Sequence, residues 1–588
     1  MNKFLIFVFI LLGLNYLNSQ KYDFNWIMGE RTALIKDSLD GTAILNFNSQ
    51  NGSPLIQSTK KINTDFWYYG TLISDMEGEF MFHFHGNFLF DYFNYKGVNG
   101  YKKICPQEFC AYDPQSCLIL PGGMNDTSYS LLTTESKVVG DTFAYVLNLR
   151  NNFHQLVNST NNTGVTIVST NNLFLSDSID IGKITACRHA NGRDWWIIIG
   201  RYNKPEVYTI LFDGNKVVRS FIQNIGRIPE NQSNGYSCFS PKGNYYCSTS
   251  IKESNNLSHG IFELYDFDRC SGQLKNRQFD QLDTTPTIAF GCAFSPDSRF
   301  LYLSSSYYLY QYEIIDGKLS NKTVIAEYDG HIGHVFDNNT SSSTFGNLQL
   351  APDGRIYSNP EFLQSRYMHI INKPNKSGAA CDFIQHSVRL KSIITTTPSF
   401  PNYRLGPIDG SICDSLDIDN IPWCWWRYNQ DTSSHLCFEF TDLSAYEVAE
   451  WYWDFGDGTQ SRDTSPIHCF SKNGNYKVCL IVKNQYGSDT LCRTLNIGTT
   501  GIINNERQEI QTEIFPNPAR DYLIINIPDY IPENMKIKLF NSQGSEVLDQ
   551  RIYQGSNIID TDQLINGIYF VYLRDMNGLL KTYKILIE

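Results

Sequence analysis

Positive charge is in deficit in this chain: 48 Lys and Arg face 60 Asp and Glu, a formal charge of -12 at pH 7. With no surplus of cations to displace counterions from a phosphate backbone, nucleic acid is not an expected partner. Beyond residue 19 no stretch is apolar enough to span a bilayer, so the mature chain is expected to have no transmembrane span and to be soluble once exported. Motifs of catalysis are equally scarce. The sequence has no HExxH pair, no GxSxG elbow, no phosphate-cradling glycine loop and no CxxC pair with zinc-like spacing. These gaps remove the usual signatures of peptidases, hydrolases and nucleotide enzymes, while leaving open an active site assembled from distant segments. No catalytic, cofactor-binding or metal-ligating residue is assigned.

What is abundant points to strands. Aromatic residues make up 14% of the sequence, with 36 Tyr and 37 Phe, and Asn, Ser and Thr crowd the intervals between short apolar runs. A length of 588 residues suggests about three domains. Lys3 followed by the apolar run Phe4 to Leu14 reads as a secretory signal over residues 1–19, cleaved near Ser19 to leave Gln20 first. Fifteen cysteines suit an oxidising compartment, and their odd number leaves at least one unpaired within the chain. Cys479 and Cys492 fall on adjacent strands of one expected hairpin, where a cross-strand disulfide is geometrically possible and two free thiols are the alternative.

A long-period repeat emerges when turns are aligned: HANGRDWWIII at His189, SPKGNYYCSTS at Ser240, SPDSRFLYLSS at Ser295 and APDGRIYSNP at Ala351. Their turn positions Gly192, Gly243, Ser298 and Gly354 are separated by 51, 55 and 56 residues, and each is followed by an apolar strand and then a second strand. Stacked four-stranded blades leave this trace. Fainter copies lie around Gly78 and Asp126. With one further blade closed between the N-terminal strands (TAILNFN) and the last strands before Gly410, the expectation is a β-propeller of roughly seven blades over residues 22–410.

The strings KITACRHANGRDWW, FGCAFSPDSRFLYLSS, LQLAPDGRIY and FPNYRLG resemble the propeller-like region of secreted Bacteroidetes surface proteins, which usually precedes a polycystic kidney disease (PKD) domain and a sorting tail. The cluster Cys105, Cys110 and Cys117 is not part of that resemblance. A connector is expected over residues 411–431, Trp-rich in its second half, PWCWWRYNQD from Pro422 to Asp431. Residues 432–498 resemble a PKD domain, an immunoglobulin-like β-sandwich, through WDFGDG at Trp453 to Gly458. In the strand Tyr476 to Val482, residues 476, 478, 480 and 482 share one face. After a polar linker over 499–511, residues 512–588 resemble the type A sorting domain of type IX secretion, a small β-sandwich of about seven strands, through FPNP at Phe515 to Pro518, an SQG turn and LINGIYFVYL. The expected fold class is therefore all-β throughout. The resemblance implies a route through the periplasm and the type IX translocon to the outer-membrane surface or the medium. It also implies a tail that is commonly cleaved and attachment to an anionic lipopolysaccharide.

Several residues merit weighing as chemistry. His83 and His85 share one face of a strand and could share a metal, or lie structurally beside aromatics on a blade surface. His331 and His334, with Asp329 and Asp337 nearby, could bind a cation or simply shape a loop. Asp454 and Asp457 could hold calcium or cap turn amides. Asp266 and Asp268 read as hairpin residues with Arg269 as internal ion partner. Trp195, Trp196 and the Trp423 to Trp426 group could stack on sugars or form core. The expected role is a non-catalytic binding or adhesion protein with an extracellular glycan or protein ligand. The alternatives are a polysaccharide- or peptide-degrading enzyme on a propeller scaffold and a component of gliding or adhesion machinery.

Overall fold

The four aligned turns obey one backbone requirement. Gly192, Gly243 and Gly354 have φ of +76°, +70° and +76°, and Ser298, at the equivalent position, has +62°. Each donates its amide to the carbonyl three residues earlier, on His189, Ser240, Ser295 and Ala351, at 2.8 to 3.0 Å. Glycine enters this left-handed region freely and serine only at a cost. In the computed structural model of the chain each turn joins the first two strands of a four-stranded antiparallel sheet. The joined pairs are Thr185–Arg188 with Trp195–Gly200, Ser237–Phe239 with Tyr245–Ser254, Cys292–Phe294 with Phe300–Ser304, and Leu348–Leu350 with Ile356–Ser358.

The structure describes residues 20–29, 42–49, 52–59, 70–85, 88–91, 115–122, 128–135, 148–156, 165–180, 182–226, 235–254, 257–282, 291–336, 339–360, 364–431, 434–497, 513–520, 522–527, 536–541, 545–552, 555–561, 564–575 and 578–587. Within them seven sheets of three or four strands succeed one another between Asn25 and Ile394, each built from consecutive strands, with a separate two-stranded hairpin between the sixth and the seventh. Neighbouring sheets touch mainly through their innermost strands, and the seventh touches the first, where Phe383–Ile394 meets Thr42–Asn46 and Leu55–Thr59. The succession therefore closes as a propeller. Among the described residues the expected mixture of N-terminal and last strands in one closing blade does not occur. The strands Asn25–Met28, Thr42–Asn46 and Leu55–Thr59 pair with each other, and aromatic packing closes the ring instead, with Trp26 5.6 Å from Tyr357 and 6.1 Å from Phe400. The turn around Asp126 and the cysteines 105 and 110 lie outside the described residues.

The segment expected as a connector has two faces. Trp423 and Trp425 stack on one another at 5.7 Å and pack against Phe24 in the propeller core. Cys424 and Trp426 point the other way, into the core of the following sandwich. This period-two alternation puts one extended chain between two cores. Trp426–Gln430 then pairs with Cys437–Asp442, so the first strand of the sandwich lies inside the expected connector. Two sheets complete the module, and disulfides Cys437–Cys469 and Cys479–Cys492 each join directly opposed residues. A third disulfide, Cys270–Cys413, ties the chain after the propeller back to the fifth sheet.

Propeller and sandwich form one compact unit, up to Gly498. Arg427 Nε donates to the Asp353 carbonyl at 2.7 Å, Arg355 donates to Asn429 Oδ1 at 2.7 Å, and Lys373 pairs with Glu439 at 2.8 Å. Arg493 lies over Trp425 at 4.6 Å and donates to the Ser49 carbonyl at 2.9 Å. Burial pulls Arg427 and Arg493 down to about 10, a measure of how far these guanidiniums have left water.

The second unit, Thr499–Glu588, is a separate body of seven described strands in a three-stranded and a four-stranded sheet. Alternate residues such as Leu523, Ile525, Ile537, Leu539, Val571 and Leu573 fill its core. Among the described residues no helix is long and apolar enough to cross a membrane, and the only helical element is the 3₁₀ turn Gly378–Cys381.

Candidate functional site

Around His331 and Asp329, which the sequence singles out, the structure gathers two imidazoles that the sequence does not, His369 and His386. His331 immediately precedes a hairpin, Ile332–Phe336 with Asn339–Ser342, that projects within the seventh blade; the region expected as a loop is thus paired strand. The side chain of His334, and Asp337, lie outside the described residues. The described partner of His331 is instead His386, with rings 4.2 Å apart, and Tyr367 stands 4.9 Å away. Asp329 bridges the group: its Oδ1 accepts the His331 amide at 3.0 Å and its Oδ2 pairs with His386 Nε2 at 3.1 Å.

Beneath them lies His369, fully buried, whose Nδ1 accepts the His386 amide at 3.0 Å while Nε2 faces the Thr344 carbonyl at 3.3 Å. Burial, helped by the charge of His386, pulls its pKa down to about 3, so this ring is neutral and structural. His386 and His369 come from strands more than 35 residues beyond His331, and no local motif couples them. Among the described residues no group of three or more His, Cys, Asp or Glu is placed to hold a metal ion.

His83 is buried and stacks on Phe80 at 5.8 Å rather than facing solvent on a blade surface, because its side of the strand turns toward the core. The side chain of His85 lies outside the described residues.

The paired carboxylates are occupied by turns. Asp454 Oδ1 accepts the Gly456 amide at 2.9 Å; Asp457 Oδ1 accepts the Thr459 amide at 2.9 Å, and its Oδ2 meets His468 Nε2 at 2.8 Å. His468 in turn stacks on Phe455 at 3.9 Å. Burial opposes ionisation of Asp457, but the Thr459 and His468 hydrogen bonds outweigh it and hold the carboxyl below its ordinary range.

Asp268 accepts the Cys270 amide at 2.9 Å and the Ser271 hydroxyl at 2.6 Å, and Asp266 accepts from Asn276 at 2.6 Å. Arg269 is not their ion partner. It reaches inward to three backbone carbonyls, on Arg188 at 2.8 Å, His189 at 3.2 Å and Gly406, and so knits the fourth blade to the chain leaving the propeller. The tryptophans considered for sugar stacking are all buried. Their size had suggested two uses, and only neighbours distant in sequence decide between them.

Comparison with known proteins accounts for about the C-terminal quarter of the chain. A PKD domain model matches residues 427–498, starting one residue inside the first sandwich strand, and a model of the secretion system C-terminal sorting domain matches residues 513–588. Collagenase ColQ1 of Bacillus cereus (strain Q1) is 40% identical over 48 residues, which are 8% of this chain and 5% of that protein. The chain thus spans a small fraction of this relative's length. The PKD1 domain of Vibrio anguillarum Epp is 25% identical, with 13% of this chain and 93% of that one covered at a TM-score of 0.12. The β-propeller domain of Vanderwaltozyma polyspora Nup133 is 12% identical, with 58% and 92% covered at a TM-score of 0.28. The chain therefore ends in a PKD domain and a type IX sorting domain, and its destination is the cell surface or the medium.

Proposed function

We propose that this exported chain is a non-catalytic binding or adhesion protein, in which the propeller, rigidly joined to its PKD domain, presents loops to an extracellular glycan or protein. One observation carries the reading. Each acidic group weighed as chemistry and described in the structure, Asp266, Asp268, Asp329, Asp454 and Asp457, is engaged by an intramolecular donor that fixes a turn or a rim. Such carboxylates shape a surface; a general acid or base must instead offer a proton site to substrate. Delivery runs through the type IX translocon, and attachment to an anionic lipopolysaccharide follows processing of the tail.

The test is a glycan and protein array probed with the exported protein, run beside hydrolase and lyase assays on the same polymers. Retention without turnover is expected. Turnover abolished by Ala at His331 or His386, with the fold intact by circular dichroism, would replace this reading with an enzyme whose site is the seventh-blade rim.

A further inference from the structure

Three cysteines meet where the fifth and sixth blades face each other. Cys238 on Ser237–Phe239 is directly opposite Cys247 on Tyr245–Ser254, and Cys292 opens the innermost strand of the next blade. Cys238 Sγ lies 3.4 Å from Cys292 Sγ, and Cys247 also directs its thiol to Cys292. Cys247 and Cys292 are buried, whereas Cys238 is partly exposed. Two other directly opposed cysteine pairs in this chain, Cys437 with Cys469 and Cys479 with Cys492, are disulfides. Here the third sulfur, across the blade boundary, competes for the bond.

We propose that Cys238 and Cys292 form an inter-blade disulfide in the exported protein, leaving Cys247 as a resident thiol beside it. A disulfide-bearing oxidant reaches Cys238 first, because Cys238 alone of the three is partly exposed; burial and the contact with Cys292 hold its thiol well above the ordinary range, so this first exchange is the slow one. Its thiolate attacks the oxidant's disulfide, giving a mixed disulfide and releasing one thiol; the Cys292 thiolate then attacks Cys238 Sγ and releases the second. Two electrons pass to the oxidant, and the two protons lost here end on its thiols. Sulfur need travel only from 3.4 Å to the bonded separation of about 2.05 Å. The environment favours Cys292 as the resolving nucleophile. Burial opposes its ionisation, but hydrogen bonds from Cys238 and Cys247 and the charge of Lys183 outweigh it and draw the thiol below its ordinary value.

The three cysteines fall on separate tryptic peptides, 228–242, 243–252 and 278–299, so the pairing can be read directly. Exported protein is treated with oxidised glutathione, alkylated with iodoacetamide under denaturing conditions without reduction, digested and mapped by mass spectrometry. Peptide 228–242 linked to 278–299, with Cys247 alkylated, is expected, and Cys247→Ser should keep that link. Three alkylated cysteines, a Cys238 to Cys247 link, or a mixed disulfide with glutathione that persists on Cys238 would each overturn the proposal.

Discussion

Trp425 and Trp426 are adjacent in the chain and belong to different hydrophobic cores. Trp425 packs at 5.2 Å from Phe24 in the propeller, with Arg493 over its face, while Trp426 meets Trp453 edge-on at 5.4 Å inside the PKD sandwich. A single peptide bond is therefore the seam between two modules, and neither can shift without moving a tryptophan of the other.

Substituting the two residues should separate the effects. Trp426→Ala empties a fully buried site and is expected to cost the sandwich about 3 to 5 kcal/mol, exposing 434–497 to protease. Trp425→Ala takes away one of the two indoles beneath Arg493, the other being Trp426 at 5.0 Å, a cation–π contact of about 0.5 to 2 kcal/mol, and should open cleavage within 411–431 first. Limited proteolysis with mass mapping distinguishes the two patterns. Identical patterns would mean that the seam is not where the two cores divide.

The left-handed turns give a second, paired test. At Gly192 a Cβ would stand 2.6 Å from Pro407 Cδ and 2.8 Å from its nitrogen, in a rigid ring that cannot step aside. Gly192→Ala should therefore cost more than the roughly 1 to 2 kcal/mol of the backbone conformation alone. Ser298→Gly relieves a similar conformation but removes the hydroxyl that accepts the Lys242 amide at 3.1 Å, a bond worth about 0.5 to 1.5 kcal/mol net. The two effects nearly cancel, and a midpoint within about 0.5 kcal/mol of the parent is expected. Urea titrations of both variants check the contrast.

These turns also show what was legible from sequence. Gly192, Gly243, Ser298 and Gly354 sit at a fixed spacing because each blade repeats one local geometry, so their equivalence needs no knowledge of long-range contacts. The WDFGDG turn is legible for the same reason, as are the alternating strands of the tail. Contacts between segments far apart were not. Arg269 spends its donors on carbonyls 80 and 137 residues away rather than on its acidic neighbours. His331 meets His386, 55 residues on, because the blade returns a distant strand to its side. The four tryptophan-rich residues of the connector carried the right alternation for a strand between two surfaces, yet only the second surface gives that alternation its meaning.

His369 makes stability depend on pH in a definite direction. Its folded pKa of about 3 lies below the ordinary 6.5, so the unfolded chain takes up a proton that the folded chain refuses. This contribution is fully present above pH 6.5 and is lost as pH falls toward 3, since protonating Nδ1 breaks the bond it accepts from the His386 amide. Denaturation midpoints should drop from pH 7.5 to pH 5. In His369→Gln the drop should shrink, with some stability lost at both pH values. An unchanged pH response in that variant would show that other groups govern it.

The last prediction concerns export. Residues 513–587 close their own core over seven described strands, and residues up to Gly498 close another, so removing Ile514 to Glu588 takes no side chain from the propeller or the PKD domain. The truncated protein should keep its unfolding midpoint and accumulate in the periplasm, with surface and medium fractions falling to background. The fold and the address would then be separable properties of one chain. Cell fractionation with immunoblotting measures the distribution, and calorimetry of the purified truncated protein measures the midpoint. Normal surface delivery would remove the tail from the export step, whereas a lowered midpoint would show that it supports the fold it follows.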